Sequence, residues 1–216
     1  MSGPTPTSAS GGPATSSPLD RPGTSDAPVP ASYRRLRERA TALLTSWDAP
    51  DAGQEGRRQD FLAHLAAHPG AMWKQGPPAH LTASAVVLDA TGEHVLLTLH
   101  RKADAWFQFG GHYEPADAGV HAAATREARE ESGIAGLVVH PALVELDRHE
   151  LTGSFGRCLE HLDLRFVAVV GDDARHEVSD ESLDVAWWPV DGLPAASSTD
   201  LPRLIGTARE SVASVG

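Results

Sequence analysis

The segment REAREESGI, residues 126–134, places three glutamates close together directly before a glycine. The residues before them recur at helical spacing, which predicts a helix from about residue 120 to residue 132. At roughly 100° per residue, Glu130 and Glu131 fall within about 60° on either side of Glu127. The three carboxylates are therefore predicted to share one stripe of this helix.

The first part of that stripe is small and apolar, with Val120, Ala123 and Ala124, so the stripe faces the interior of the domain. Gly133 is the expected left-handed cap, and acids beside a helix C-terminus oppose the macrodipole. Carboxylates about 5–6 Å apart repel by on the order of 3 kcal/mol at an effective dielectric near 20. A solvated helix end explains this pattern less well than a bound cation, and oxygen ligands favour Mg²⁺ or Mn²⁺. Arg126 can pair with the acid four positions later.

The excess of acidic residues argues against some classes of function. The chain has 29 acidic and 18 basic residues and a formal net charge of -11. Such a surface repels phosphate backbones, so no nucleic-acid polymer is expected as a partner, and a phosphate-bearing substrate would be contacted through a metal. No basic leader or membrane-length apolar run is present, so we expect a cytoplasmic protein without a membrane partner. The composition leaves the oligomeric state open.

Cysteine and histidine usage gives weaker signals. Cys158 is the only cysteine, which excludes an intrachain disulfide and a cysteine-rich zinc site, and it is expected to be a small buried side chain. The eleven histidines include one H-x-x-x-H pair on a likely helix, His64 and His68. Their apolar neighbours favour a surface or packing role over metal ligation.

Three regions are predicted along the chain. Residues 1–31 are rich in proline, serine, threonine and glycine and are expected to be disordered. Residues 32–76 contain two amphipathic patterns, SYRRLRERATALLTSW with Ser32 as a candidate N-cap and GRRQDFLAHLAAHPG, which predict a helical extension. Residues 77–216 form the main domain.

The main domain alternates strands and helices. Strands are predicted in LTASAVVLDA, HVLLTLHR, GLVVHPALVEL, LDLRFVAVV and VAWWPV, and a closing helix is predicted near the C-terminus. A mixed order of this kind predicts an α/β or α+β layered domain around a mixed sheet.

The stretch GGHYEPADAGVHAAATREAREESGI resembles the signature of the Nudix hydrolases, G-x5-E-x7-R-E-U-x-E-E-x-G-U with U apolar. The second half of the signature agrees in full, from Arg126 to Ile134, and Gly111 matches its first glycine. The middle acid departs from the signature in two ways. It is Asp117 instead of a glutamate, and eight residues instead of seven separate it from Arg126. The insertion leaves the role of Asp117 open. The resemblance implies an α/β/α sandwich with a central mixed sheet.

The resemblance also implies an activity and a set of site residues. The implied activity is metal-dependent hydrolysis of a diphosphate linkage in a nucleoside diphosphate joined to another group, with Mg²⁺ or Mn²⁺ as cofactor and a small-molecule diphosphate as substrate. The implied metal ligands are the following: Glu127, Glu130, Glu131 and the backbone carbonyl of Gly111. Arg126 resembles the orienting arginine of the motif. The proton acceptor is left open between Glu130 and a downstream loop that contains Glu177 and Glu181.

Four further residues are candidates for substrate binding. Trp106 and Phe107 could stack on a base, although aromatic residues at strand ends more often pack in the core. His161 and Asp163 alternate onto one face of a predicted strand, with His149 upstream. Trp187 and Trp188 cannot share one face of a strand.

Two other functions remain open. The first is a non-catalytic sensor of nucleotides or sugar phosphates on the same fold. The second is an isomerase of isoprenoid diphosphates, which would be expected to use Cys158.

Overall fold

The computed structural model describes residues 28–151, 157–171, 174–179 and 182–214. The predicted disordered tail therefore lies almost wholly outside the described residues. The helices are α1 (Ala31–Ser46), α2 (Ala52–Ala67), α3 (Val120–Ser132) and α4 (Leu201–Ala213). The strands are β1 (Ala79–Asp89), β2 (His94–His100), β3 (Ala105–Phe107), β4 (Phe109–His112), β5 (Glu145–Glu150), β6 (Glu160–Val170) and β7 (Ser182–Pro189).

The seven strands form one mixed sheet with β1 at its centre. Strand β6 runs parallel to β1 along its whole length, from Ala79 opposite Glu160 to Asp89 opposite Val170. On its other edge, β1 pairs antiparallel with β4 near its start and with β2 near its end. Strand β7 extends the sheet along the far edge of β2, β3 pairs with the end of β2 on the edge that also pairs with β1, and β5 closes the opposite edge of the sheet on β6. The predicted α/β fold with a mixed sheet is confirmed.

Helices cover both faces of the sheet, which gives the predicted three-layer sandwich. Because side chains alternate along a strand, β1 presents Ala83 and Ala85 to one face and Val86 and Leu88 to the other. The first pair packs in a core that α1, α2 and α3 share. The second pair packs in a smaller core with Leu201 and other residues of α4.

The N-terminal helices belong to the larger core. Gln54 of α2 is buried, donates to the carbonyl of Leu146 at 3.2 Å and accepts from its amide at 2.8 Å. This side chain satisfies backbone groups on the free edge of β5, which would otherwise have no strand to pair with. Trp47 donates from Nε1 to the carbonyl of Leu143 at 3.0 Å. The helical extension is thus hydrogen-bonded to the sheet domain at its outer strand.

Several local predictions need correction. Ser32 is not the N-cap of α1, because the helix begins one residue earlier, at Ala31, after Pro30. Helix α2 begins at Ala52, ahead of the predicted pattern, because the Asp51 side chain accepts from the amide of Gln54 at 2.8 Å and caps it.

The predicted strand GLVVHPALVEL is also wrong over most of its length. Only its last two residues belong to β5, and Val139 makes one isolated bridge to Ala168. The glycine-rich stretch that follows Ala105 contains the short strands β3 and β4, which local periodicity is too short to reveal. Within the described residues, no helix has the length and apolar character needed to cross a bilayer.

Candidate active site on helix α3

The predicted acidic helix is confirmed at both ends. Helix α3 spans Val120–Ser132, and Gly133 follows with φ of 71°, the left-handed conformation that favours glycine. Ala123, Ala124 and Ala128 are buried and allow the helix to approach the sheet closely. The acidic stripe therefore continues a buried face of the helix.

Glu127 lies directly on the backbone of β4. A Cβ atom added to Gly111 would lie 2.7 Å from Glu127 Oε1 and 2.9 Å from Oε2. Only a glycine leaves room for the carboxylate at this point, and the side chain of Glu127 is 15% exposed. The carboxylate is thus held in a cradle formed by a backbone that bears no side chain.

Glu131 is held by the preceding glycine. Its Oε2 accepts from the backbone amide of Gly110 at 2.9 Å, and the residue is 8% exposed. A Cβ at Gly110 would lie 2.3 Å from Ser84 Cβ on the neighbouring strand. The two glycines therefore bring β4 close both to the acidic helix and to β1.

Arg126 connects the acids to the loop after β4. Its guanidinium donates to both carboxylate oxygens of Asp117, from Nε at 3.0 Å and from a terminal nitrogen at 3.1 Å, and to the carbonyl of His112 at 2.9 Å. Its other terminal nitrogen donates to Glu127 at 2.9 Å and to Glu130 at 3.0 Å. Partial burial works against the charged form, but the hydrogen bond that Arg126 donates to Asp117 and the neighbouring carboxylates raise the pKa of Arg126. The inserted residue therefore does not remove Asp117 from the site.

Glu130 differs from the other two glutamates because its side chain is 59% exposed. In the part of the chain that the structure describes, the three glutamates do not form a set whose ligand oxygens all lie within 4.8 Å of one another. Arg126 instead supplies the positive charge between Glu127 and Glu130. Carboxylate oxygens beside a glycine cradle nevertheless fit a hard divalent cation, which accepts oxygen ligands in adaptable numbers.

Of the downstream acids, Glu177 reaches the end of α3. Its backbone amide donates to the carbonyl of Ser132 at 2.8 Å, and a Cβ at Gly133 would lie 2.7 Å from Glu177 Cβ. The glycine that caps the helix is thus also required for this close approach. Glu181 lies outside the described residues.

The candidate substrate residues lie in different parts of the structure. Trp106 is 8% exposed, and its ring packs edge-on against the ring of Trp188 at 5.3 Å between centroids. Trp106 therefore packs in the core, which was the alternative to stacking on a base. Phe107 is half-buried and contacts the His100 ring edge-on at 6.2 Å. Trp187 and Trp188 pack in different cores, on opposite faces of β7.

Asp163 is 3% exposed and belongs to a buried ionic network. It accepts from Thr82 at 2.9 Å, Ser84 at 2.6 Å and Arg165 at 3.1 Å. His161 shares its face of β6, as predicted, but lies in a separate group.

The sequence analysis did not predict the group of side chains to which His161 belongs. The side chains of His80, His112, Cys158 and His161 bring four potential ligand atoms within 4.8 Å of one another. His64 and His68 instead have the expected packing role, with rings 4.5 Å apart and a hydrogen bond from His64 to the Ala79 carbonyl. The available sequence signal was the C-x-x-H spacing of Cys158 and His161, since the other two histidines are distant in the chain.

Comparison with known proteins supports the resemblance drawn from the motif. The model of the NUDIX domain matches residues 78–205, which is more than half of the chain. The chain belongs to the Nudix family. The matched region contains the whole sheet and helix α3, with the acidic stripe and both glycines of β4.

A solved structure of a hydrolase shares the fold. An Ap4A hydrolase from C. elegans, solved as a binary complex, is 19% identical, with a TM-score of 0.52 over 62% of this chain and 98% of its own. A dihydroneopterin triphosphate pyrophosphohydrolase from E. coli is 18% identical, with a TM-score of 0.49 over 58% of this chain and 91% of its own. No curated protein matches the sequence. At these identities the likeness concerns the fold.

Proposed function

We propose that this Nudix protein is a Mg²⁺- or Mn²⁺-dependent hydrolase that cleaves a diphosphate linkage in a nucleoside diphosphate joined to another group. The observation that supports it most strongly is the placement of Glu127 on Gly111 and of Glu131 on the amide of Gly110. Two acids are held against a strand by groups that leave no space for other side chains. Their mutual repulsion is offset locally by Arg126 and would be offset further by a divalent cation.

Glu127, Glu131, Glu130 and the Gly111 carbonyl are the groups that would hold the cation. When bound, Mg²⁺ or Mn²⁺ neutralises phosphate oxygens and lowers the pKa of a coordinated water. Arg126 fixes the rotamers of Glu127 and Glu130 and is itself fixed by Asp117. The protein thus sets the positions of the acids before any ligand arrives, which reduces the reorganisation that the reaction requires.

Glu130 is the first candidate for the proton acceptor. It is the most exposed of the three acids, so its carboxylate is accessible to a water molecule beside a substrate. The water oxygen would form a bond to phosphorus, its proton would pass to the Glu130 carboxylate, and the bridging P–O bond would break to give two phosphate products. Glu177 at the end of α3 and Glu181 further along the chain are the alternative acceptors.

A cleft beside this site offers positive charge for a phosphate group. It has a volume of about 220 Å³ and lies between α1 and the loop after β4, where Arg35 and Arg39 face Asp117 and Ala118. Both arginines are exposed. Because the rest of the protein is acidic, these cations are suited to contact substrate oxygens that the metal does not neutralise.

Hydrolysis of a panel of nucleoside diphosphate compounds, with Mg²⁺, with Mn²⁺ and with a chelator, tests this proposal. We expect metal-dependent product formation in the full-length protein and incorporation of one oxygen atom from ¹⁸O-labelled water into a phosphate product. Glu127→Gln and Glu131→Gln should each reduce turnover at least about 100-fold, by analogy with the loss of one preorganised electrostatic group. Glu210→Gln, an exposed acid near the end of α4, is the matched control.

Two outcomes would contradict the proposal. Tight nucleotide binding without turnover in any metal would favour the sensor, and unchanged turnover in both glutamine variants would separate catalysis from the acidic stripe. The isomerase predicts conversion without water incorporation and dependence on the cysteine. Cys158 Sγ lies 4.0 Å from His112 Nε2, in a group of histidines separate from the acidic stripe.

A further inference from the structure

The four-residue group named above, His80, His112, Cys158 and His161, is hereafter the His/Cys cluster. We propose that the His/Cys cluster binds one divalent transition-metal ion, Zn²⁺ foremost, in a closed structural site. The site is distinct from the acidic stripe of α3 and does not depend on the hydrolase proposal.

The geometry of the His/Cys cluster suits tetrahedral coordination. All four ligand atoms lie within 4.8 Å of one another; His80 Nε2 and His112 Nε2 are 3.0 Å apart, and Cys158 Sγ is 4.0 Å from His112 Nε2. Tetrahedral zinc with nitrogen ligands near 2.0–2.1 Å and sulfur near 2.3 Å requires ligand atoms roughly 3.3–3.6 Å apart. The separation of the two nitrogens is below that range and the nitrogen–sulfur separation is above it, so side-chain rotations are needed to bring the four atoms to tetrahedral spacing.

One ring nitrogen in the cluster is buried without a hydrogen-bond partner among the described residues. His161 Nε2 is shielded from solvent and has no hydrogen-bond partner among the described residues. A buried polar atom left unpaired costs about 1–3 kcal/mol, so such atoms are uncommon in folded proteins. The rings of His80 and His112 lie 5.3 Å and 5.1 Å from the ring of His161, so the His161 ring is beside the rings of two other ligands. A metal ion would satisfy the unpaired nitrogen.

A hydrogen bond to the backbone leaves one ring nitrogen of His80 available to bind a metal ion. Its Nδ1 lies 3.0 Å from the carbonyl of Pro77, so it donates its proton there and leaves the lone pair on Nε2. Metal-binding histidines in proteins commonly use their second ring nitrogen in this way.

The backbone around the cluster is rigid. His80 on β1 is the register partner of His161 on the parallel strand β6, and His112 ends β4, which pairs with β1 beside them. Cys158 precedes β6 by two residues and is 8% exposed, and the amide of the next residue, Leu159, donates to the Pro78 carbonyl at 3.0 Å. Three strands of one sheet thus hold the three histidines, and Cys158 lies in the segment directly before β6, whose backbone is hydrogen-bonded to the segment before β1.

The ligand types distinguish this site from the acidic stripe. Three imidazoles and a thiolate favour Zn²⁺ and similar ions, whereas Mg²⁺ and Mn²⁺ prefer oxygen. Four protein ligands leave no open position for substrate, so the role is structural. His112 also accepts from Arg126 through its backbone carbonyl, which means that a metal bound here would fix the end of the strand that carries Gly110 and Gly111.

Co²⁺ titration of the metal-free, full-length protein tests this inference, with excess Mg²⁺ present to occupy oxygen sites. We expect one equivalent of Co²⁺ to give the intense visible bands of tetrahedral cobalt together with a near-ultraviolet thiolate-to-cobalt band. Cys158→Ser should abolish the thiolate band, and His161→Ala should weaken Co²⁺ and Zn²⁺ affinity by more than the 10- to 100-fold typical of losing an outer-shell partner. His94→Ala, an exposed histidine of β2, is the control and should bind like the parent.

A second measurement uses only the parent protein, so its result does not depend on whether the variants fold. In the parent protein, one equivalent of Zn²⁺ should slow modification of the Cys158 thiol at least about 10-fold and raise the thermal unfolding temperature. A His80–His112 pair joined only by a hydrogen bond predicts neither effect. The inference is overturned by absence of the thiolate band in the parent protein, by its retention in Cys158→Ser, or by thiol reactivity that Zn²⁺ does not change.

Discussion

Asp117 accepts hydrogen bonds from Arg126 at both carboxylate oxygens, at 3.0 Å and 3.1 Å, although the inserted residue separates them by one more position than the family signature has. Asp117 also accepts from the amide of Glu114 at 2.7 Å, which closes the loop before α3. The insertion is accommodated within this loop, and the aspartate still orients the arginine. We therefore predict that Asp117, whose role the sequence left open, is a positioning residue.

The first prediction concerns this ion pair. Asp117→Asn should lower turnover of the diphosphate substrate about 10- to 100-fold, because Arg126 loses its bidentate partner and no longer holds Glu127 and Glu130 in one arrangement. Steady-state kinetics at saturating Mn²⁺ measure the effect. Asp191→Asn, an exposed residue after β7, is the control. Full activity in Asp117→Asn would show that the pairing does not matter for the acids.

The second prediction concerns the glycine cradle. Gly111→Ala should displace the Glu127 carboxylate, since the new methyl group would lie within 2.9 Å of three of its atoms. Turnover should fall at least about 100-fold, while the melting temperature changes little because a flexible side chain can move aside. Gly136→Ala, which meets nothing within 4 Å, should change neither quantity. Equal activity of the two variants would contradict the proposed position of Glu127.

The third prediction concerns the buried ionic network around Arg165. Its guanidinium is 3% exposed and contacts Asp163, Glu145, Asp147 and Asp200. Arg165→Met would leave four acids without their shared cation, and we expect a loss of about 3–5 kcal/mol in the free energy of unfolding, measured by urea denaturation.

The control for the network is Arg148→Met. Arg148 pairs with Glu160 but is 44% exposed, so its removal should cost at most about 1 kcal/mol. If Arg165→Met cost no more than Arg148→Met, the buried carboxylates would have to be largely protonated in the folded protein.

The fourth prediction concerns the pH dependence of stability. Burial lowers the pKa of His64 from 6.5 to about 4. The unfolded chain therefore binds a proton that the folded protein does not, and the contribution of His64 is full above pH 6.5 and is lost as the pH falls towards 4. His64→Gln should reduce the decrease in unfolding free energy over this interval by on the order of 2 kcal/mol.

Chemical denaturation between pH 7 and pH 4 measures this difference. His94→Gln serves as the control because the side chain of His94 is exposed on β2. A pH profile of His64→Gln that overlies that of the parent would show that His64 becomes protonated without cost in the folded protein.

Helix α3 shows how much of the site local sequence determines. Its two ends, its left-handed cap and the common stripe of its glutamates follow from the 3.6-residue period and from one glycine, which are properties of neighbouring residues. The failed strand prediction before β5 shows the limit of the same reasoning, because the apolar residues there are buried in the core while the segment makes only isolated backbone contacts with β6. Short strands such as β4 also lack enough residues to display a period.

The sequence by itself determined that three carboxylates would share one stripe of a capped helix, since that result needs only local geometry. The tertiary structure decided that Glu127 and Glu131 face inward while Glu130 is 59% exposed. Only the tertiary structure decided which groups meet them: Gly110 and Gly111 on β4, and Asp117 through Arg126. It alone brought His80 beside His161, which are register partners on parallel strands far apart in the chain. Strand register depends on the packing of the whole sheet, so no local pattern along the chain specifies these contacts.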